Sequence, residues 1–407
     1  MLYRLSIIRR YNVDAAIEAQ AVSLTKELIA IPSENPTGDE FAMADRMETF
    51  FRGIGLGVMR ERVAERRENV TAEITGSGDG PALVFLNHMD TVPVGEGWSR
   101  EPFLATEGEG KIWGRGSCDM KGGIAASLAA MENLKRRIDG GAKAMGTVRC
   151  CMVVDEESGC MTGTEAAIAS GYIGADDIVI SCEPTELALI TAQKGAMWFE
   201  LIFGGKSAHA AAPHMGADAI HAASHAVVAL QEAVAQLPYE DPLLGRCTIV
   251  TSMIDGGHKT NVVSERCAMQ IDSRFVPPLQ TADIQQIIHE KAAEACERVS
   301  GVEFSLRATI ADRPPVTADT DSAGAKLIFE TLGEILGAEP EPAGVSYYSD
   351  AGMAAAQTGS RNCFLLGPGN IEQAHTPDEF IEVDSLKNAV RVYGRLLEKF
   401  VLDDNSP

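Results

Sequence analysis

Cysteine patterns that could build a disulfide framework are missing from this sequence. Its nine cysteines form no Cys-x-x-Cys pair, their number is odd, and two of them, Cys150 and Cys151, are adjacent. Proteins that are stapled by disulfides in oxidising compartments keep an even number of spaced cysteines. The cysteines therefore indicate a reducing compartment, and we predict a cytoplasmic protein.

Long apolar segments are missing too. No run of 18 apolar residues occurs, and the apolar stretch within residues 1–10 is interrupted by Arg4 and closed by Arg9 and Arg10. A helix that crosses a bilayer needs about 20 apolar residues, and a secretory signal needs an uninterrupted apolar region. We therefore expect a soluble protein with no signal peptide and no membrane partner.

Basic residues are few relative to acidic ones. Lys and Arg total 35 against 58 Asp and Glu, which gives a formal net charge of −23. Nucleic acids and anionic membranes attract proteins that carry an excess of positive charge. We therefore expect no nucleic-acid partner, and the hydrophobic content of 45% is typical of a globular enzyme.

The order of predicted elements indicates an α/β domain that is interrupted by a smaller one. At 407 residues two domains are expected, and strands followed by helices fill residues 1–186 and return over residues 311–407. Within the first segment, Thr37 and Glu40 have the spacing of a capping box and predict the start of a helix. Residues 187–310 follow a strand–helix–strand–strand–helix–strand order, which is typical of a small α+β domain. We predict an α/β fold with a central mixed, mostly parallel sheet flanked by helices, plus an inserted α+β (ferredoxin-like) domain.

One predicted strand ends in two side chains that bind metals or protons. The apolar run at residues 83–87 indicates a buried strand, and it is followed by His88 and Asp90. Residues two apart in an extended chain point the same way, and a histidine ligand needs a partner for its second ring nitrogen. The pair is typical of a metal ligand and its orienting carboxylate, although a solvated His and Asp at a strand end is an equally simple alternative.

Other predicted strands end in carboxylates. Strands at residues 147–154 and 177–182 are followed by Glu156-Glu157 and by Glu183. The glycine-rich stretch at residues 114–123 matches neither phosphate-loop pattern, and its glycines would let the backbone bend so that Asp119 projects into a site. Open α/β sheets place their sites at the carboxyl ends of the strands, so these side chains are candidates for one site.

Five residues form an inventory of ligands for two divalent ions: His88, Asp119, Glu157, Glu183 and His375. Two imidazoles and three carboxylates suit Zn²⁺, Co²⁺ or Mn²⁺, and the lack of cysteine ligands indicates a catalytic rather than a structural site. A carboxylate can bridge two ions about 3.5–4 Å apart and hold a water between them. Glu156 could then handle protons while its neighbour binds metal. Spacing alone does not show that these residues meet in space.

Several motifs resemble those of one enzyme family. Residues 87–93, 114–123, 155–159 and 182–185 are similar to segments of the metallopeptidase and deacylase family. Its members include acetylornithine deacetylase, succinyl-diaminopimelate desuccinylase, aminoacylase and carboxypeptidase G-type enzymes. Residues 367–379 look most like the corresponding segment of acetylornithine deacetylases. The resemblance extends in the expected order over roughly residues 20–400, and such motifs are confirmed by their structural context.

The resemblance implies a role for each candidate residue. One ion would be bound by His88 and Glu183 and the other by Glu157 and His375, with Asp119 as the bridge. Asp90 would orient His88, and Glu156 would be the general base. We predict two divalent ions per chain, most simply zinc, with cobalt or manganese as alternatives.

The inserted domain carries further residues implied by the resemblance. Residues 205–210 are similar to the family segment whose histidine, here His209, reaches across a dimer to polarise the scissile carbonyl, so we predict a homodimer formed through this lid and dimerisation domain. Asn261 and Arg274 lie in segments that resemble substrate-contacting ones. A guanidinium suits a substrate carboxylate, although Arg274 could equally form an ordinary intramolecular ion pair. Ser264 and residues 347–350 depart from the pattern expected of an acetylornithine deacetylase.

We therefore predict a metal-dependent amide hydrolase. A metal-bridged hydroxide would cleave the N-acyl bond of an N-acyl amino acid of the acetylornithine or succinyl-diaminopimelate type. A dipeptidase or carboxypeptidase, which acts on short peptides, would share every catalytic residue and is the main alternative. A catalytically silent binding protein with the same fold is a remoter one.

Overall fold

The computed structural model describes residues 14–337 and 340–402. The predictions made for residues 1–10 lie outside these ranges. The chain divides into two compact units. The first contains the described residues up to Thr191, Thr317–Ala343 and those from Ser349 on, and the second contains Ala192–Val316 and Gly344–Tyr348. The sequence predicts the inserted domain at residues 187–310.

The elements are numbered here in chain order. The helices are α1 (Ala15–Ile29), α2 (Phe41–Gly53), α3 (Gly122–Asp139), α4 (Thr162–Ala169), α5 (Ala219–Ala235), α6 (Thr281–Glu297), α7 (Ala323–Leu336), α8 (Asp350–Thr358) and α9 (Val383–Val401). The strands are β1 (Val58–Ala64), β2 (Arg67–Ile74), β3 (Ala82–His88), β4 (Thr106–Gly108), β5 (Lys111–Trp113), β6 (Thr147–Val153), β7 (Ile178–Ser181), β8 (Ile190–Gln193), β9 (Gly195–Gly204), β10 (Glu240–Asp241), β11 (Gly245–Arg246), β12 (Thr248–Gly256), β13 (Arg266–Phe275), β14 (Glu303–Ala308), β15 (Val316–Thr317), β16 (Ala343–Val345), β17 (Cys363–Leu365) and β18 (Phe380–Glu382). Within the described residues, no helix is both long and apolar enough to cross a bilayer.

The first unit is built on a mixed sheet in which the strands follow the order β1-β2-β6-β3-β7-β17 and then β8. The central strands β6, β3, β7 and β17 are parallel, whereas β1, β2 and β8 join antiparallel to their neighbours. All seven residues of β3 are buried, because a central parallel strand is covered on both faces and needs a continuous apolar run. The predicted α/β fold with a mixed central sheet is confirmed, and the parallel strands lie at the centre of that sheet.

The helices of the first unit cover this sheet with apolar stripes. In α1, Ile17, Ala21, Leu24 and Leu28 are buried at the predicted helical spacing. The Asp14 carboxylate accepts a hydrogen bond from the amide of residue 16 at 2.9 Å and caps the helix. Burying this stripe against α3 and α9 places it in one apolar core with the sheet.

The predicted capping box of α2 is wrong. The helix begins at Phe41, and its N-terminus has no side-chain cap. The hydroxyl of Thr37 donates to the carbonyl of Glu34, and the buried carboxylate of Glu40 lies 3.4 Å from the guanidinium of Arg67. Thr37 and Glu40 have the spacing of a capping box, but the Glu40 carboxylate pairs with Arg67 instead of capping the helix.

The second unit is a four-stranded antiparallel sheet in the order β12-β13-β9-β14. Along β13, buried residues alternate with partly exposed ones, the pattern of a sheet with one face packed on a core. Helices α5 and α6 supply the other half of that core. The inserted α+β character predicted from the sequence is therefore confirmed.

Candidate functional site

The first unit gathers a cluster of acidic and imidazole side chains at one edge of its sheet. His88 is the last residue of β3, and it is paired with Val153 at the end of the parallel strand β6. On the other side, Leu86 of β3 pairs with Ser181 at the end of β7. Since parallel strands end at the same edge of a sheet, the chain that follows each of them enters a common site.

Asp119 lies at the centre of this cluster. Its Oδ1 is 3.1 Å from Nε2 of His88, and its Oδ2 is 3.4 Å from Nε2 of His375. Glu183 Oε1 lies 3.7 Å from Nε2 of His88, and Glu157 Oε2 lies 3.1 Å from Nε2 of His375. The structure thus brings all five predicted ligands together, with the two oxygens of Asp119 facing different histidines.

An irregular turn presents Asp119 to the cluster. Gly116 has a φ of 79°, a conformation that favours glycine, and Asp119 itself has φ −119° and ψ 96°, outside the helical region. Helix α3 begins only at Gly122. A Cβ on Gly123 would lie 2.3 Å from the carbonyl oxygen of Cys182, so a glycine there lets the helix start pack against the end of β7. The glycine-rich stretch bends the backbone as the sequence predicts.

Asp90 contacts the cluster in a way that differs from the prediction. Nδ1 of His88 lies 3.0 Å from the backbone carbonyl oxygen of Asp90, whereas the nearest carboxylate oxygen of Asp90 is 3.7 Å away. That carboxylate accepts the backbone N–H groups of Glu156 at 3.2 Å and Glu157 at 3.0 Å. Asp90 therefore holds the acidic turn through its side chain and the imidazole through its main chain.

Two residues that the sequence analysis missed support Asp90. The side-chain amide of Asn35 donates to the Asp90 carboxylate at 2.8 Å, and Arg67 donates to the Asn35 carbonyl oxygen at 3.0 Å. Arg67 also forms an ion pair with Asp155. Asn35 and Arg67 are far from the cluster in sequence and belong to no motif, so no local signal distinguishes them.

Burial and mutual repulsion shift the acid–base equilibria of the cluster. Burial raises the pKa of Glu157 to about 7, and the charge of Asp119 adds to the shift. Burial, together with the charges of neighbouring carboxylates, also raises the pKa of Glu156 and of Glu183 well above their usual range. Hydrogen bonds to Asp119 and Glu157 raise the pKa of His375 to about 10. Each shift has the direction expected of a site with an excess of buried negative charge.

The same excess explains why the cluster fits cations. Burial disfavours the charged ring of His88, yet the hydrogen bond to Asp119 and the charge of Glu183 hold its pKa well above the usual value. Oε1 of Glu157 is buried and has no hydrogen-bond partner among the residues described. An unpartnered buried carboxylate oxygen is costly unless a cation pairs with it.

The chemistry of the donors narrows the kind of cation. Potential ligand atoms of His88, Asp119 and Glu157 all lie within 4.8 Å of one another. The neighbouring thiol of Cys118 donates to the backbone carbonyl oxygen of Asn370 at 3.2 Å, and burial raises the pKa of this thiol well above the usual value. A site of imidazole and carboxylate donors without thiolate suits divalent zinc, cobalt or manganese.

Three predicted site residues belong to the second unit rather than to this cluster. His209 is exposed, and its Nδ1 accepts the backbone N–H of Ala211 at 3.0 Å. The backbone carbonyl oxygen of the exposed Asn261 accepts the N–H of Ala210 at 3.0 Å. Arg274 donates to both carboxylate oxygens of Asp272, each at 2.8 Å, which is the intramolecular ion pair that the sequence left open.

Comparison with known proteins agrees with the motifs. The sequence matches the family described as peptidase family M20/M25/M40 over residues 84–399. An acetylornithine deacetylase of Proteus mirabilis is 30% identical over 396 residues, which cover 95% of this chain and 98% of that protein. A tripeptidase structure from Staphylococcus aureus superimposes with a TM-score of 0.78 at 20% identity, covering 94% of this chain and 98% of that one. An M20 family metallo-carboxypeptidase structure from Sulfolobus solfataricus also gives a TM-score of 0.78 at 20% identity, covering 94% and 99%.

These similarities extend over most of the chain. The family match includes every residue of the acidic and imidazole cluster, and the two solved structures share the fold. The family resemblance drawn from the motifs is confirmed. The chain belongs to peptidase family M20/M25/M40 and is a metal-dependent hydrolase of amide bonds.

Proposed function

We propose that this enzyme cleaves the N-acyl bond of an N-acyl amino acid of the acetylornithine or succinyl-diaminopimelate type. The observation that carries the catalytic part is the central carboxylate of Asp119, whose two oxygens face His88 and His375. The substrate class is supported by the similarity to an acetylornithine deacetylase over 95% of the chain.

The ligands divide into two sets around this carboxylate. In our proposal His88 and Glu183 would hold one divalent ion, Glu157 and His375 would hold the other, and the Asp119 carboxylate would serve both. Zinc would suit both positions, and cobalt or manganese could replace it. Such a pair of ions supplies polarisation of a carbonyl oxygen and a water of lowered pKa.

Glu156 is the proton carrier of this proposal. It is held beside the ligand Glu157 by the bond from its backbone N–H to Asp90. A carboxylate at this position would take a proton from water and then release it to the departing amine. The products are a carboxylic acid and an amino acid.

A dipeptidase or carboxypeptidase activity is the second candidate. It would use the same ligands and the same base, and solved structures with this fold include a tripeptidase and a carboxypeptidase. Relative kcat/KM values on N-acetyl amino acids, N-succinyl-diaminopimelate and dipeptides separate the two candidates. A preference for dipeptides would overturn the deacylase assignment and leave the metal centre intact.

We also propose a homodimer that is assembled through the second unit. Strand β12 is an edge of its sheet, and three of its apolar side chains are exposed: Val250, Met253 and Ile254. An exposed apolar edge strand favours pairing with another chain.

All nine cysteines are free thiols, which is consistent with the cytoplasmic location that we also propose.

Removal of metal is expected to abolish activity. A chelator such as 1,10-phenanthroline should inactivate the enzyme, Zn²⁺ or Co²⁺ should restore it, and elemental analysis should find about two ions per chain. The physical reason is that the cluster depends on cations to compensate its buried carboxylates. Two ions without turnover on any substrate above would place the substrate outside the proposed class. A purified protein that binds no divalent ion would refute the metal centre.

Substitution of Arg274 tests the substrate-binding part of the proposal. Because Arg274 is already paired with Asp272, a substrate carboxylate would have to share the guanidinium or displace that partner. Arg274→Ala should raise KM about tenfold for substrates with a free carboxylate and have little effect on their esters, since a charge-assisted hydrogen bond contributes about 1.5–3 kcal/mol. Arg307→Ala, which removes an exposed arginine paired with Glu200, is the matched control. Equal effects on acid and ester would assign Arg274 to the ion pair alone.

A further inference from the structure

One buried carboxylate outside the ligand set holds the turn that carries Asp119. Oε2 of Glu379 accepts a hydrogen bond from Arg115 Nη1 at 2.6 Å and from the backbone N–H of Gly116 at 2.9 Å. Its Oε1 accepts the backbone N–H groups of Cys118 at 2.8 Å and Asp119 at 3.1 Å. Only 1% of Glu379 is exposed, so four donors that water cannot reach are satisfied by one side chain.

The strand pairing explains how Glu379 reaches this turn. Strands β5 and β18 are antiparallel, and Trp113 pairs with Phe380. The backbone N–H of Gly114 donates to the carbonyl oxygen of Glu379 at 2.9 Å, which continues the ladder by one residue. The chain that leaves β5 toward Asp119 therefore begins beside the chain that arrives at β18 from His375.

A second contact ties the same two segments together near their other end. The thiol of Cys118 donates to the carbonyl oxygen of Asn370. A Cβ on Gly369, which has a φ of 89°, would lie 2.7 Å from Sγ of Cys118. Between these two contacts the chain makes a loop that contains His375. The distance between the two ligands Asp119 and His375 thus depends on how their loops are joined.

Arg115 extends the connection to the third ligand-bearing segment. While its Nη1 pairs with Glu379, its Nη2 donates to the carbonyl oxygens of Pro93 and Val94, each at 3.2 Å. Those two residues follow closely on His88 and Asp90. Only 2% of Arg115 is exposed, and a buried guanidinium needs its carboxylate partner.

We propose that Glu379 is a positioning residue that sets the separation of Asp119 and His375 and thereby the affinity of the dinuclear site for its ions. The inference rests on the proposed metal centre. Two acceptor oxygens are needed because all four partners are donors. A glutamine in place of Glu379 would direct its N–H₂ group toward one pair of these donors. Partners that orient ligands in this way typically change metal affinity about 10–100-fold when they are replaced.

The test is a titration of metal-free Glu379→Gln protein with Co²⁺, followed by calorimetry and by the visible absorption bands of the bound ion. We expect the dissociation constant of at least one of the two binding steps to rise about 10–100-fold, with altered Co²⁺ bands. Glu382→Gln is the matched control, because it makes the same change three residues along at an exposed position. A purely structural role would lower the melting temperature and leave the Co²⁺ affinity and spectrum of the folded protein unchanged.

Each outcome decides the proposal. A folded Glu379→Gln protein with unchanged Co²⁺ affinity overturns it, and if that variant does not fold, Glu379→Asp is judged by the same criterion. If neither folds, amide hydrogen exchange on metal-free wild-type protein decides. Slow exchange of the amides of Gly116, Cys118 and Asp119 would show that Glu379 holds this turn before metal binds, which supports the proposal. Rapid exchange of these amides would overturn the proposal. A wild-type protein that binds no Co²⁺ would instead refute the metal centre on which the inference rests.

Discussion

Glu156→Gln protein is expected to bind two ions per chain and to lose about 10³-fold or more in kcat, the upper part of the range for removal of a general acid–base group. Glutamine has nearly the same shape, so the backbone bond from residue 156 to Asp90 is kept. The proposed ligands are unchanged. In the proposed mechanism, the variant loses the group that takes the proton of the attacking water and returns it to the leaving amine.

The neighbouring residue provides the sharpest comparison. Glu157→Gln makes the same chemical change one position later, where Oε2 lies 3.1 Å from His375. It should lower metal content or affinity, whereas Glu156→Gln should not, because a neutral amide is a poor ligand for a divalent ion. Elemental analysis and kcat on the best substrate measure both effects. Glu96→Gln, at an exposed position, controls for the loss of one charge.

Two results would contradict the assignment of the base. A Glu156→Gln enzyme with near-normal kcat and both ions bound would show that another group carries the proton. Loss of metal from this variant would make Glu156 a ligand rather than a base. Because kcat is measured with metal content on the same sample, the two results cannot be confused.

Three of the predicted ligands, His88, Glu157 and Glu183, lie at or just after the ends of predicted strands. His88 and Glu183 lie at the ends of β3 and β7, and parallel pairing alone brings such ends to one edge. Glu379 and Asn35 could not be recognised in that way. Glu379 accepts hydrogen bonds from backbone N–H groups some 260 residues earlier in the chain. A contact between residues so far apart produces no local sequence pattern that could predict it.

The misplaced details of the fold have the same origin. The capping box at Thr37 satisfied a local rule, but the carboxylate of Glu40 lies near Arg67, which the chain supplies from β2. The sequence predicts that the carboxylate of Asp90 orients His88, yet that carboxylate accepts hydrogen bonds from backbone N–H groups of the acidic turn. In both cases the carboxylate contacts a residue that is distant in sequence, and not the neighbouring residue that the local pattern indicates.

His209→Ala protein is expected to keep its ions and its oligomeric state and to lose about 10²–10³-fold in kcat, the usual effect of removing one donor to a developing oxyanion. The geometry of the loop supports a donor role. Nδ1 of His209 accepts the N–H of Ala211, so the neutral ring carries its proton on Nε2, where it can be donated to a carbonyl oxygen. His214→Ala, an exposed histidine in the same loop, is the matched control and should retain full activity.

A mixing experiment tests whether this histidine serves the partner chain. In a heterodimer of His209→Ala and Glu156→Gln chains, a shared arrangement leaves one complete site, because the intact Glu156 of one chain meets the intact His209 of the other. Random exchange of equal amounts should then restore roughly a quarter of the wild-type activity, given twofold symmetry of the dimer. Two different affinity tags would verify that heterodimers have formed. If verified heterodimers show no recovery, His209 does not act across a dimer. If His209→Ala alone is fully active, the histidine has no part in the reaction, and the carbonyl would depend on the metal centre alone.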